Sequence, residues 1–333
     1  MNERINWIDW AKALAVCTVV FCHLPQSQEW FYYRYLQSVI IVVFFFLSGY
    51  LKKDRGSTKA NWKKYWHGLI LPYIIYNIIV YPYWLLKYYM QHNGMPDLFS
   101  SLKPIFGAIL LQHENSFCEP LNGPLWYLPA ILIMHVTIDL CRKTKYQHHI
   151  MITLCIASVV LYACNKYYLF LPNLTPMGLF RRLPYYYIGF AMGQKCMFRE
   201  INATRDTIVS ICLIITSLLL FQWHLHEENF IGHIVLFYPV NFCFMYGILY
   251  GCKAINSVKS NIIQYYSIGT LVVIGLHVPI ISIINLCINH VFQTQGDLIY
   301  HWYVALPISI IICIILYPFI FWGIKSLPIL FGK

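Results

Sequence analysis

Three ionisable residues, Asp9, Lys12 and His23, stand in the first apolar stretch of the chain, Trp7 to Leu24. An ionisable group in a bilayer costs about 2.5–3.5 kcal/mol on insertion scales, so it normally faces protein or a water-filled site. Lys12 and His23 are eleven residues apart. On an α-helix that is three turns with about 20° left over, or about 16 Å along the axis. They therefore share a stripe. Asp9, three residues before Lys12, is spaced to pair with it and offset its cost. Histidine titrates near neutrality and suits a general base. A base near one mouth and a charged pair near the other point to a reaction, or a polar path, that spans the membrane.

The elements that must hold this stripe follow from composition. Of the 333 residues, 59% are hydrophobic and only 11% charged. A soluble core cannot hide that much apolar surface. The apolar stretches predict ten spans, near 7–24, 36–51, 66–89, 123–141, 149–168, 178–195, 207–223, 231–251, 264–289 and 302–325. The expected fold is all-α, a polytopic integral membrane bundle of about ten helices forming one domain over 1–333. No internal repeat is visible. The first span is polar-marked and lacks a small-residue cleavage site, so it reads as a retained helix. The apolar segment 104–112 is too short to cross and reads as re-entrant or interfacial.

Lys and Arg placement orients the bundle. With the N-terminus cytoplasmic, inner segments hold Arg4, Lys52, Lys53, Arg55, Lys59, Lys63 and Lys64, then Arg142, Lys143, Lys145, Lys195, Arg199, Arg205, Lys253, Lys259, Lys325 and Lys333. Outer positions hold Arg34, Lys87, Lys103, Lys166, Arg181 and Arg182. Both termini are therefore expected in the cytoplasm. The net charge of +11 reads as topology and contact with anionic lipids, with no nucleic-acid partner. The 12 cysteines are scattered without a CxxC pair or metal-ligand spacing, and Cys118 alone clearly falls in an outer loop. No metal site is expected.

Other side chains could serve a substrate. Trp126 and Tyr127 fall at the outer interface, either as an aromatic belt or as a sugar platform. Arg181 and Arg182 open the sixth span against the positive-inside trend and suit an anionic glycan or pyrophosphate group. His277 stands alone in an apolar helix. The outer loop from Gln91 to Asn122 is long enough to act as a lid, with His113 and Glu114 beside the acceptor mouth. Ser48 and Gly49 permit close helix packing.

The residues also carry a resemblance. INWIDWAKALAVCTVVFCH, from Ile5 to His23, resembles the opening helix of the membrane-bound acyltransferase-3 family, bacterial O-acyltransferases of surface polysaccharides. Its Asp-x-x-Lys form looks closest to the fucose 4-O-acetylase branch. FFFLSGYL (Phe44 to Leu51) resembles the family's second-helix signature, and the basic run from Lys63 to Leu71, Pro72 and Tyr73 its third helix. NGPLWYLPAIL (Asn122 to Leu132) and IGLHVPI around His277 resemble later motifs in the same order. Two positions depart. Lys12 stands where many members have arginine, keeping the charge but losing the bidentate fork. His67 and Gly68 stand where an arginine is common, leaving Lys63 and Lys64 as the nearby cations.

The resemblance implies a multi-pass protein of the bacterial cytoplasmic membrane that takes acetyl-CoA as a substrate and binds no permanent cofactor. The acceptor it implies is a glycan or lipid-linked glycan. His23 is then the base, with Lys12 and Asp9 at the donor side or locking the helix. Transfer of succinyl or another short acyl group is the nearest alternative. A transporter is the rival class, but it predicts two related halves with broken helices, and no such symmetry is visible.

Overall fold

The computed structural model describes residues 4–53, 57–110, 121–168, 175–195, 197–198, 200–227, 230–293 and 298–332. His113, Glu114 and Cys118 fall outside them, as do Arg55, Arg199, Lys333 and the Lys166 side chain. The elements are α1 (Asn6–His23), α2 (Phe31–Tyr50), α3 (Thr58–Tyr65), α4 (Leu71–His92), α5 (Leu98–Ile109), α6 (Tyr127–Cys141) and α7 (Gln147–Tyr168). They continue with α8 (Thr175–Gln194), α9 (Ala203–His226), α10 (Phe230–Ala254), α11 (Asn261–Ile268), α12 (Thr270–Phe292) and α13 (Trp302–Ser326). Among the described residues there is no strand. This is a helical bundle of a multi-pass membrane protein.

Eight helical segments are long and apolar enough to cross a membrane. Two of the ten expected spans, 7–24 and 178–195, form helices but are not among the eight. The reason is physical. α1 carries Asp9, Lys12 and His23 in 18 residues, and α8 carries Arg181 and Arg182. Both lie inside the bundle, α1 packed by α2, α10, α11, α12 and α13, and α8 by α2, α6 and α7. A helix enclosed by protein needs no uniformly apolar outside.

Glycines set the closest approach. A Cβ at Gly49, Gly189 or Gly193 would overlap the backbone carbonyls of Tyr186, Phe46 and Tyr50 respectively. α2 and α8 therefore touch backbone to backbone, as the small residues at Ser48 and Gly49 predict. Between α3 and α4 the chain widens into a π turn at Trp66–Ile70. Pro72 follows at the start of α4 and cannot donate to the Gly68 carbonyl four residues back, which favours the wider turn. The C-terminal turn rests there, with Gly332 at φ +68 against Gly68 and the Tyr76 hydroxyl donating to Leu330 O at 3.0 Å.

α5 is 12 residues long, too short to cross, in line with the reading of 104–112. Asp97 caps it by accepting from Ser100 N at 2.9 Å. Tyr73 and Tyr81 of α4 donate to its Ala108 and Ser101 carbonyls at 2.7 and 3.0 Å, so α5 leans on α4.

The segments rich in Lys and Arg meet at one end of the bundle. Asn6 Nδ2 donates to the Asn256 and Val258 carbonyls at 2.5 and 2.9 Å. Tyr50 donates to Met197 O at 2.5 Å, and Lys253 pairs with Asp206 at 3.5 Å. The start of α1 and the connections after α2, α8 and α10 thus share a face.

Candidate active site

At the C-terminal end of α1 a cavity of about 420 Å³ opens between α1, α2, α6, α8 and α12. Its wall includes His23 and Cys22 of α1, Gln37 and Phe44 of α2, Trp126 and Tyr127 at the entry to α6, Arg182 of α8 and Ile274 of α12. The helix ends at His23 because Leu24 turns extended (φ −68, ψ 138). The carbonyls left over there are satisfied from α2. Tyr33 donates to Cys22 O and Leu24 O at 3.2 and 3.4 Å, and Gln37 donates to Cys22 O at 3.4 Å.

His23 Nδ1 lies 2.8 Å from Val19 O. A carbonyl can only accept, so Nδ1 carries the proton and Nε2 is the acceptor of the neutral ring. His23 is exposed, and the surface it exposes lines the cavity. That is the geometry of a base waiting for a hydroxyl. Behind it lies His277, fully buried, whose Nδ1 is 2.7 Å from Val273 O. The two rings stand edge to face, 4.7 Å between centroids. His277 Nε2 is buried with no hydrogen-bond partner.

The opposite wall is aromatic and cationic. The 3-10 turn Gly123–Trp126 leads into α6, and Asn122 pins it to α12 by donating to Gly275 O at 2.7 Å. The hydroxyls of Tyr127 and Ser48 are 2.7 Å apart. Arg182 donates to Gly178 O at 3.0 Å and lies 4.8 Å from the Trp126 ring centroid. Among the described residues no carboxylate pairs with it. An unpaired guanidinium on a cavity wall attracts an anionic group or developing negative charge.

A model of the acyltransferase 3 family, described as an acyltransferase domain, matches residues 5–318. The chain belongs to that family. No curated protein and no solved structure matches it.

The sequence-derived site residues of this acyltransferase do not all meet in one place. His23, Trp126, Tyr127 and Arg182 line one cavity, with His277 directly behind. Arg181 turns away from Arg182 and lies over Phe237 of α10, 3.7 Å from its centroid. The expected Asp9–Lys12 pair does not form. Arg4 takes both Asp9 oxygens, at 2.5 and 2.9 Å, and Ser267 donates to Oδ1 at 2.6 Å. The fork of a guanidinium and a hydroxyl outcompete a lysine one turn along. Lys12 is half-buried, makes no ion pair among the described residues, and is not part of the cavity wall.

Lys63 and Lys64 lie on α3, at the basic end and away from His23. Residues of α3 (Thr58, Asn61, Trp62 and Tyr65) line a second cavity, about 270 Å³, with Asp139, Arg142 and Lys143. At its wall is a network that sequence reasoning missed. Buried Lys52 donates to Tyr65 Oη and, at 2.7 Å, to Asp139 Oδ1. Tyr65 donates to Asp139 Oδ2 at 2.5 Å. His135 stacks on Tyr65 with 5.4 Å between centroids, and its Nδ1 is 2.5 Å from Tyr186 Oη. Lys52 reads in sequence as one more topogenic lysine, and only the fold brings it to Asp139. Gln37 was also missed, since a single amide at the start of an apolar helix gives no spacing to read.

Proposed function

We propose that this acyltransferase moves an acetyl group from acetyl-CoA to a sugar hydroxyl of a surface polysaccharide or its lipid-linked precursor. It does so in a bacterial cytoplasmic membrane, as one domain over 1–333, with both termini in the cytoplasm. The observation that carries the reading is His23, whose Nδ1–H is tied to Val19 O and whose ring opens into a cavity walled by Trp126, Tyr127 and Arg182.

In this mechanism the acceptor hydroxyl donates to His23 Nε2. The O–H bond breaks as the oxygen attacks the thioester carbonyl, and His23 holds the proton. The carbon–sulfur bond then breaks, and the thiolate of CoA takes a proton. Arg182 faces the negative charge of the tetrahedral adduct or an anionic group on the acceptor. Trp126 and Tyr127 offer the apolar face on which a sugar ring stacks. The donor enters from the basic end, where the second cavity, Lys63 and Lys64 suit its phosphates. Clustering of the basic segments on one face supports that orientation. Asp9, held by Arg4 and Ser267, fixes α1 rather than touching substrate, and Lys12 is left as a free cation on the donor side of the helix.

The test is the O-acetyl content of surface polysaccharide in cells carrying the wild-type chain, His23→Ala or no chain, at matched membrane levels. Loss with both changes supports the reading. O-acetylation that survives removal of the gene defeats it.

A further inference from the structure

A groove of about 540 Å³ lies between α4 and α5, within the size range of small-molecule sites. Its wall includes Ile74, Ile78 and Pro82 of α4, Ile105 and Ile109 of α5, and Leu121. Three polar side chains share the wall, and each is bound within the protein. Tyr73 donates to Ala108 O at 2.7 Å, Tyr81 to Ser101 O at 3.0 Å, and Asn77 Nδ2 to Tyr73 O at 2.8 Å. The surface left over is hydrocarbon. A bare glycan would give up hydrogen bonds to water there and regain few, whereas an alkyl or isoprenoid chain gives up none. Ile78 and Ile109 stay exposed, so the groove is open to the lipid around the bundle.

The groove also backs onto the His23 cavity. Tyr76 of α4 packs against Gly275 of α12, and Asn122 donates to Gly275 O at 2.7 Å. Both therefore rest on the same point of α12. Ile274, next to Gly275, lines the cavity, as do Pro124 and Trp126. Leu121 lines the groove. One short stretch of chain, 121–126, thus has the groove at its start and the cavity at its end. At the cavity end Arg182 lies against Trp126, with no carboxylate paired to it among the described residues.

We propose that the groove holds the hydrocarbon tail of a lipid-linked glycan, whose head group reaches round the 121–126 turn into the His23 cavity. Arg182 then faces the phosphate that joins tail to sugar. This rests on the reading of the protein as a sugar O-acyltransferase, and it selects the lipid-linked precursor over the finished polysaccharide as acceptor. Bulk lipid tails are as apolar as the carrier's, so apolarity alone does not choose the occupant. The carrier is chosen because its two ends fit two adjoining places, and the second contact forms at high effective concentration.

Photolabelling of the wild-type chain in phosphatidylcholine nanodiscs tests this directly. One probe is a polyprenyl phosphate with a diazirine in its tail, the other a phosphatidylglycerol with a diazirine in an acyl chain. The polyprenyl probe should label α4 and α5 around Ile78 and Ile105. Unlabelled polyprenyl phosphate should suppress that labelling, and the same excess of phosphatidylglycerol should not. Equal labelling by both probes, labelling without competition, or labelling only elsewhere overturns the proposal.

Two substitutions carry the test to cells. Ala108→Trp fills the groove, and Ile79→Trp adds the same ring on α4 outside it. Loss of one of two linked contacts corresponds to about 10-fold or more in binding. At equal membrane level Ala108→Trp should lower labelling and the O-acetyl content of surface polysaccharide by about that factor, and Ile79→Trp should change neither. O-acetylation that Ala108→Trp leaves intact, or that both substitutions lower alike, overturns the proposal. Should Ala108→Trp fail to reach the membrane, competition on the wild-type chain decides. The two readings fail separately. O-acetylation that survives removal of the gene, with competed labelling present, defeats acyl transfer and leaves a carrier-lipid site. O-acetylation that needs His23, with no competed labelling, defeats the groove alone.

Discussion

The two ends of this bundle treat charge in opposite ways. At the basic end Asp9, half-buried Asp139 and Asp206 each have a cation, Arg4, Lys52, and Arg205 with Lys253 respectively, and Lys12 is the exception left without an ion pair among the described residues. At the His23 end, Arg182 lines a cavity with no carboxylate among the described residues, and His277 keeps a lone pair without a donor among them. Compensated charge fixes helices to one another, whereas uncompensated polarity is tolerated where something else will supply the partner. The contrast separates scaffold from site without reference to any relative.

The largest effect that could break this contrast is at His23. His23→Ala should lower acyl transfer by about 10²- to 10⁴-fold with little change in thermal stability, measured as O-acetyl content beside the melting temperature of the purified protein. An equal loss of stability would place His23 with the scaffold. Next comes Lys52. Lys52→Met removes the cation beside Asp139, which keeps its bond from Tyr65, and should destabilise the fold by about 1–3 kcal/mol. Lys52→Met with Asp139→Leu should restore most of it, read from melting in detergent. If the single change is silent, the basic end is not compensated by that pair.

Arg182 and Arg181 provide an internal control, being adjacent in sequence and turned to different places. Arg182→Gln should cost about 10- to 100-fold in transfer at unchanged stability. Arg181→Gln should leave transfer intact and cost about 0.5–2 kcal/mol of stability through the lost contact with Phe237. Reversed effects would move the anion-facing group to Arg181. The smallest change is Tyr127→Phe, which removes a hydroxyl bound to Ser48 but keeps the ring. A loss of about 1 kcal/mol in stability and no loss of transfer would fit an aromatic platform. A large loss of transfer would give that hydroxyl a part in the chemistry.

Much of this was readable before any coordinates. The polar marks in α1 and the helical spans follow from residue type and apolar run length, and Trp126, Tyr127 and Arg182 stand out singly in the sequence but not as one wall. What could not be read was pairing across distance. Asp9 was assigned to Lys12 because the helix brings them within a turn. Its true partners are Arg4, which lies before the helix begins and folds back, and Ser267, 258 residues away. The stripe from Lys12 to His23 was likewise real as helix geometry but did not make one site, since cavity shape depends on neighbours that periodicity does not encode. Likewise, counting spans by apolarity undervalues α1 and α8, because enclosure by other helices relaxes the demand for apolar side chains.

The ties of α1 have a consequence for how the protein is made. This helix is made before the segments that hold it. Yet Asn6 and Trp7 bind Asn256, Arg4 binds Gln264 O and Asp9 binds Ser267, all from segments made some 250 residues later. Until those segments arrive, Asp9 and Lys12 each carry about 2.5–3.5 kcal/mol of insertion cost with only Arg4 at hand. Assembly of α1 is therefore a late event, like the closing of a ring whose first and last links must meet. A chain halted before Asn256 should keep its N-terminal helix open to protease and to water-soluble thiol reagents at Cys17 and Cys22, and a completed chain should shield it.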